Sequence, residues 1–188
     1  PFLFDAADTG EDHVWDHTDL MLAGEQADTM VGLGSAPLLH QLVFNNAFLF
    51  PGHLAHYGVR SLPFEIPMLP VTDPYTFYGV HPTDLRNVGY GITVNGLALP
   101  VRRDPVDVIH RLPLHMGDVD SSLSLIDVTL PEMGHYGQRQ MRRNHVDGYG
   151  TLHLPTGSFQ VLRLVSRLER TDTVFVDQFG LGLRLPIP

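Results

Sequence analysis

The sequence predicts an all-β protein: an antiparallel β-sandwich of about ten strands, with a barrel-like variant as the alternative. Apolar residues recur at every second position, as in Ile126, Val128 and Leu130, which alternate with polar residues. Turn signals rich in glycine and proline separate these runs at intervals of about 8–15 residues. No stretch longer than about ten residues has the 3.6-residue apolar period of a helix.

The composition fits one β-sandwich domain over residues 1–188. Apolar residues make up 43% of the chain, and 18 glycines and 15 prolines occur without a short period, which indicates many turns. The absence of cysteine excludes a disulfide framework, thiolate catalysis and thiolate zinc sites. The chain starts without methionine and stops without a polar tail, so we expect a fragment of a longer secreted precursor.

Five segments outside the clearest hairpins are strand candidates. They are residues 13–20, 30–33, 40–44, 75–80 and 106–112. A further segment, residues 63–74, holds four prolines. Proline cannot donate to a strand ladder, so we predict a loop that crosses between the sheets there.

Residues 92–101 predict a β-hairpin. Apolar residues alternate on both sides of Asn95-Gly96, a pair that tolerates the positive φ angles of a type I′ turn. The twist of this turn matches the twist of the flanking strands.

The C-terminal third predicts a three-stranded antiparallel meander. Residues 150–154 form the first strand, and residues 155–157, Pro-Thr-Gly, turn the chain. Residues 158–170 form a long strand, which is apolar on both faces at first and amphipathic later. A turn at residues 170–172 then leads into a strand over residues 174–179.

The charge of the chain argues against several partners. The formal charge is −9 with histidine neutral, whereas proteins that bind nucleic acid carry a basic footprint. No apolar run approaches the ~18 residues of a transmembrane segment. The chain has 11 histidines, and the unperturbed pKa of a histidine side chain is about 6.5, so we expect self-association to depend on pH.

Two segments resemble a known group of proteins. Residues 15–20, Trp-Asp-His-Thr-Asp-Leu, resemble a W-D-x-[ST]-x-L strand, and residues 146–159 resemble a V-D-G-[WY]-G-T-L-x-x-P-x-G-[ST]-F signature. Both patterns are typical of uncharacterised Bacteroidetes secreted proteins that carry a type IX secretion sorting domain. The resemblance covers nearly the whole chain. It implies export and an extracellular or outer cell surface location, but no particular activity.

Two side-chain groups are weak candidates for metal binding. His53 and His56 follow a Pro-Gly pair and can converge in a turn, although no Glu lies between them as in H-E-x-x-H. Asp118 and Asp120 provide oxygen ligands of the kind that Ca²⁺ prefers, but without the full loop spacing. Ordinary histidines and a solvated turn are the favoured interpretations, so we expect neither a metal nor a cofactor.

Ligand binding has two weak candidates. Trp15 and Tyr149 are aromatic rings on which a sugar can stack, although Trp15 is better explained as a core residue. Arg139, Arg142 and Arg143 form a basic cluster that fits either a solvated edge strand or a contact with an anion or a partner.

No catalytic motif is present, so we expect a chain that is not an enzyme. The leading hypothesis is a non-catalytic extracellular structural or binding module, whose partner is another copy or a cell-surface protein or polysaccharide. Apolar residues 2–4, Phe-Leu-Phe, are suited to adding a strand to the open sheet edge of a neighbouring copy. The alternatives are a carbohydrate-binding domain, with Tyr75, Tyr78 or Tyr90 as further stacking faces, and a secreted hydrolase.

Overall fold

The computed structural model confirms the predicted β-sandwich. It describes residues 8–21, 23–25, 27–60, 71–94, 96–130, 134–176 and 183–187. Ten strands form two five-stranded sheets that pack together, with no closed barrel among these residues. No helix in the same residues is long and apolar enough to cross a membrane.

The first sheet, here called the long sheet, is built around β8. Its strands are β1 (His13–Asp16), β7 (Val119–Leu130), β8 (Gly134–Leu154), β9 (Gly157–Val176) and β10 (Leu183–Ile187). On one side β8 pairs antiparallel with β9 over the length of both strands. On its other side β8 pairs antiparallel with β7 and, further along, parallel with β1. β10 pairs antiparallel with the end of β9, so the third strand lies at residues 183–187 and not at the predicted residues 174–179.

The second sheet, the short sheet, is an antiparallel sheet in chain order. It contains β2 (Thr29–Val31), β3 (Tyr57–Arg60), β4 (Val71–His81), β5 (Asp84–Val94) and β6 (Leu97–Arg111). The predicted hairpin is confirmed, because the last residue of β5 pairs directly with the first residue of β6. Gly96 in this turn has φ 79°, whereas Asn95 lies outside the described residues.

Residues 40–44 were expected as a strand, and this prediction is wrong. They belong to α1 (Leu38–Phe44), a helix that follows Pro37. His40 and Phe44 are the buried residues of α1, because positions four apart share one face of a helix. A short apolar run has no clear period, so the sequence alone does not separate helix from strand here.

An apolar cluster joins α1 to the short sheet. Its buried members are Leu33, Ala36, Phe44, Ala55, Tyr75, Phe77 and Val88. The Phe44 ring stacks on the Phe77 ring with their centroids 4.4 Å apart. Aromatic contacts of this kind stabilise a packed pair by about 0.5–1.5 kcal/mol beyond the burial of area.

The predicted proline-rich loop is only partly testable. Residues 61–70 lie outside the described residues, but β4 already begins at Val71 and contains Pro74, so the end of the predicted loop is a strand. Pro74 is tolerated between two neighbouring strands because a β-bulge interrupts the pairing with β5 there. The preceding Asp73 has φ 47°, which places it in the left-handed region.

The predicted turn at residues 170–172 does not occur. β9 continues to Val176, and the part of the predicted next strand beyond it lies outside the described residues. Arg170 and Asp172 point to the same side of the strand and form an ion pair, with Nε and Oδ2 3.1 Å apart. Arg170 and Asp172, which suggested a turn, therefore pair with each other within an extended strand.

Candidate functional site

The two sheets meet through polar side chains, with Arg103 at the centre. Its guanidinium is 2% exposed and donates hydrogen bonds to Ser124 Oγ (2.8 Å), Tyr90 OH (2.6 Å) and Gln138 Oε1 (2.8 Å). Gln138 Nε2 in turn donates to Asp172 Oδ1 at 2.9 Å. The Gln138 amide therefore links the guanidinium of Arg103 on β6 to the carboxylate of Asp172 on β9 by hydrogen bonds.

A second contact between the sheets is a buried ion pair. Asp107 accepts two hydrogen bonds from Arg142, at 3.0 Å from Nε and 2.9 Å from Nη2. Gln140 Nε2 donates to the same carboxylate at 2.8 Å. Two-point contacts between arginine and a carboxylate are among the stronger protein hydrogen bonds and fix the planes of both groups. Arg142, a weak candidate for an anion or partner contact in the sequence, connects β8 to β6.

The polar contacts continue along β8 to its middle. Asn144 Nδ2 donates to the carbonyl of Ile109 at 2.8 Å, and its Oδ1 accepts from Ser166 Oγ at 2.7 Å. On β7, the hydroxyl of Ser122 accepts from the amide of Val108 at 2.9 Å. Because each donor needs one particular acceptor, this polar interface allows only one position of the long sheet on the short sheet.

His40 on α1 is enclosed by aromatic rings on the side of the short sheet that contacts the helix. The ring is fully buried, and it meets Tyr75 and Phe77 edge to face at 6.0 and 5.8 Å between centroids. Gly91 leaves room for it, since a Cβ there would lie 2.6 Å from the imidazole. Neither ring nitrogen makes a well-formed hydrogen bond. Burial lowers the pKa of His40, and the nearby backbone of Ile92 opposes this only in part.

We expect His40 to make folding sensitive to acid. Because its pKa is lowered in the folded state, the unfolded chain binds more protons below about pH 6.5, and the free energy of unfolding falls there by up to ~1.4 kcal/mol per pH unit. Urea denaturation from pH 8 to pH 5 measures this slope. His40→Leu, which cannot titrate, should have a shallower slope than the wild type. Identical slopes would show that His40 does not titrate with folding.

The histidines proposed for metal binding point to different backbone groups. His53 Nε2 lies 2.8 Å from the carbonyl oxygen of Arg103, and His56 Nδ1 accepts a hydrogen bond from the amide of Val80 at 3.0 Å. Their rings are therefore engaged separately in holding loops to the short sheet. In the part of the chain that the structure describes, no three His, Asp or Glu side chains converge as metal ligands.

The two aspartates proposed for calcium also separate. Asp118 Oδ2 accepts from the amide of His115 at 2.8 Å in an exposed turn. Asp120 Oδ1 accepts from Asn144 Nδ2 at 3.1 Å, at the end of the polar interface. Asp118 closes a turn and Asp120 joins β7 to β8. Their oxygens therefore take part in different contacts and do not converge on a common point.

The aromatic candidates for sugar stacking are covered to different degrees. Trp15 is buried, and its Nε1 donates to the carbonyl of Asp8 at 2.9 Å. Tyr149 is half-buried, as are Tyr78 and Tyr90, and Tyr75 is buried. No tryptophan or tyrosine of the chain, all of which lie within the described residues, is an exposed ring.

The basic cluster is divided between the two faces of β8. Arg142 faces the polar interface, whereas Arg139 and Arg143 lie on the exposed face, as alternation along a strand requires. Arg143 Nη1 pairs with Glu169 Oε1 at 2.7 Å on β9. This hydrogen bond lowers the pKa of Glu169.

A groove of about 330 Å³ lies between β6 and β7. It is lined by Pro100, Val101, Arg102, Asp104, Leu125, Asp127 and Val128. Asp104 and Asp127 are both exposed, so neither carboxylate lies in the dry surroundings typical of a catalytic acid.

The outer edge of β9 is open over residues 157–171, here called the β9 edge. β8 pairs with one side of this stretch, and β10 covers only residues 172–176 on the other side. Among the described residues no strand pairs with the β9 edge. Along this stretch the backbone N–H and C=O groups that point away from β8 therefore have no strand partner in the part of the chain that the structure describes.

The β9 edge is apolar as well as open. Four large apolar side chains on it are 41–52% exposed: Phe159, Leu162, Val165 and Leu168. They are distributed over both faces of the strand, since side chains alternate. The stretch contains no proline, a residue that protects sheet edges from pairing, although it also carries four charged residues: Arg163, Arg167, Glu169 and Arg170.

Three other edge strands in the described chain, β2, β6 and β10, are short or contain proline. β6, the last strand of the short sheet, contains Pro100 and Pro105. At the opposite end of that sheet, β2 has only 3 residues, and β10 contains Pro186. Short strands and prolines discourage pairing between molecules, so the β9 edge differs from them in both length and chemistry.

The sequence matches no family model, and neither a curated protein nor a solved structure is significantly similar to it.

Proposed function

We propose that this chain is a non-catalytic structural module of an extracellular or cell-surface assembly, joined to its neighbours through the β9 edge. The observation that carries the proposal is an unpaired, apolar stretch of strand over residues 157–171. Its location outside the cell rests on the resemblance of residues 146–159 to the signature of secreted proteins.

Addition of a partner strand would pair the backbone of the β9 edge and cover its apolar side chains. A partner strand supplies hydrogen bonds to the open backbone groups, and it covers the exposed side chains of Phe159, Leu162, Val165 and Leu168. Complete burial of one such side chain contributes about 1.5–3 kcal/mol, so covering the exposed part of all four would contribute to association. Main-chain bonds supply affinity, and the apolar side chains supply specificity.

The rest of the long sheet holds the β9 edge ready for a partner. β9 is paired with β8 along its whole length, and β8 is fixed on the short sheet by the Asp107–Arg142 pair and the contacts of Arg103. A preorganised edge loses little conformational entropy when a strand is added.

The buried carboxylates support a non-catalytic module. Asp84 and Asp107 are the buried acids among the described residues, and each pairs with an arginine. The Arg86 guanidinium lowers the pKa of Asp84, whereas a general acid needs a raised pKa.

We expect the purified chain to self-associate in a concentration-dependent way, as measured by analytical ultracentrifugation. Lysine at Leu162 and Leu168 should leave a monomer with unchanged thermal stability, because charges on an edge strand prevent strand addition. Phe48→Lys is the matched control: Phe48 is 92% exposed after α1, away from the β9 edge, and the variant should associate like the wild type. A wild-type chain that is monomeric at all concentrations would overturn the proposal.

A further inference from the structure

We propose that α1 and the turn after it dock on the surface of a lipid bilayer, with their exposed apolar side chains inserted into one leaflet. These side chains are Leu38, Leu39 and Leu42 on α1 and Phe48 and Leu49 in the turn, here together called the α1 tip. The contact is interfacial, since no helix in the described residues is long enough to cross a membrane. It does not involve the β9 edge.

The outer face of α1 is apolar, although its inner face already belongs to the core. Leu38 is 70% exposed, Leu39 41% and Leu42 48%, on the part of the helix that its buried residues leave free. In the turn, Phe48 is 92% exposed and Leu49 is 59% exposed. A helix that borders water normally presents a polar face to it. The α1 tip therefore indicates an apolar environment on this side of the molecule.

No formally charged residue interrupts this surface. Residues 29–59, which include α1 and the turn, contain no Asp, Glu, Lys or Arg, although these residues make up 18% of the chain. A charged group that enters a lipid interface loses favourable hydration, so a surface without such groups inserts at lower cost. The formal charge of the whole chain is −9, which favours a zwitterionic lipid over an anionic one.

The backbone of the turn is also suited to lipid. Asn46 Oδ1 accepts from the amide of Phe48 at 3.1 Å and from the amide of Leu49 at 3.0 Å. The carbonyl of the same asparagine accepts from the amide of Phe50 at 2.9 Å. Three consecutive amides are thus satisfied within the turn. They need neither water nor a partner protein, which is what an apolar medium without hydrogen-bonding groups requires.

An exposed cation lies beside the α1 tip. The guanidinium carbon of Arg102 lies 4.7 Å from the centroid of the Phe50 ring, and Phe50 directly follows Leu49 in the chain. Arginine contacts phosphate groups through two parallel hydrogen bonds while its aliphatic part packs on apolar surface. Arg102 can therefore contact lipid phosphates while the α1 tip lies at the boundary of the acyl chains.

The α1 tip and the long sheet lie on opposite sides of the short sheet. Gly91 faces α1, since a Cβ there would lie 2.6 Å from the His40 ring. The neighbouring Tyr90 projects to the other side, where its hydroxyl accepts from Arg103 in the polar interface. The β9 edge belongs to the long sheet, so the two contacts use different layers of the sandwich.

A lipid surface fits the α1 tip better than a protein partner does. Protein interfaces surround an apolar centre with a polar rim, and complementary charges set the orientation of the two partners. Residues 29–59 offer no formal charge for such an alignment. A lipid interface accepts apolar side chains without a matching shape or pattern of charge.

Flotation with vesicles of phosphatidylcholine provides the test. The wild type should bind, and the double variant Phe48→Asp, Leu49→Asp should bind at least about tenfold more weakly, because two apolar side chains no longer leave water. Added salt should not weaken binding of the wild type, since the inserted surface is uncharged. Val119→Asp is the matched control: Val119 is 74% exposed in β7 of the long sheet, and this variant should bind like the wild type. Thermal melting checks that both variants remain folded.

Phe48→Trp reports insertion directly. Its emission should shift to the blue when vesicles are added, and brominated phosphatidylcholine should quench it. The wild type has only Trp15, which is buried in the long sheet, so its emission should not be quenched.

Several results are incompatible with lipid docking. These are a wild type that does not bind, a double variant that binds equally well, and binding that needs phosphatidylglycerol and low salt. If the double variant loses self-association without lipid, the α1 tip covers another copy and lipid docking is wrong. Repeating the comparison in the Leu162→Lys, Leu168→Lys background separates the two contacts, because vesicle binding should persist there whether or not the β9 edge assembles.

Discussion

We expect Asp107→Ala to lower the free energy of unfolding by about 3–5 kcal/mol. The change removes the carboxylate that Arg142 and Gln140 contact, and it leaves the guanidinium, whose side chain is 11% exposed, without a partner between the sheets. An unpaired buried charge costs far more than the ion pair contributes when it is intact. Urea denaturation at neutral pH measures the loss.

Two further variants serve as controls for this prediction. Asp127→Ala removes a carboxylate whose side chain is 83% exposed, and its effect should be within about 0.5 kcal/mol. Adding Arg142→Met to Asp107→Ala should recover part of the lost stability, because the unpaired charge is then removed as well. If the single and double variants are equally stable, the ion pair does not hold the sheets as we describe.

Gly150→Ala should cost about 2–5 kcal/mol and detach β1. A Cβ at Gly150 would lie 1.9 Å from the carbonyl oxygen of His13, a backbone atom of β1. Gly150 also has φ 157°, which side chains of L-residues rarely adopt. The parallel pairing of β1 with β8 therefore depends on a residue without a side chain.

Fluorescence offers a direct measurement of this detachment. Trp15 lies in β1 and is the one tryptophan of the chain, so its emission should shift to the red when β1 leaves the sheet. Gly137→Ala is the matched control on the same strand, because its nearest atom outside the neighbouring residues would be at an ordinary 3.6 Å. Emission of Gly150→Ala that matches the control would contradict the prediction.

The alternating pattern predicted the fold class but not which residues face inwards. On β8, Gln138, Gln140 and Asn144 alternate as a solvent-facing row would, yet they are buried in the polar interface. Periodicity identifies two faces of a strand and does not say which of them another sheet covers. Only the last five residues of β8 were predicted as strand, because the polar residues before them lack the apolar alternation.

The position of β9 at the edge of its sheet could not be predicted from the local sequence pattern either. Residues 158–170 were predicted as a long strand, which is confirmed, and their apolar character on both faces is typical of a strand inside a sheet. Whether β9 lies inside the sheet or at its edge depends on the order of the strands. That order is set by pairing between residues far apart in sequence, which a local pattern does not show. The sequence predicted that residues 2–4 can add a strand to an open sheet edge of a neighbouring copy, but which edges are open depends on the strand order.

The long ladder between β8 and β9 has a mechanical consequence. Strands of 21 and 20 residues extend over about 60–70 Å, and they pair along the whole of that length. A pulling force along the strands loads their hydrogen bonds together in shear, whereas a perpendicular force would open them one at a time. A filament built on this sheet would be stiff under tension along β9 and would peel readily from the side.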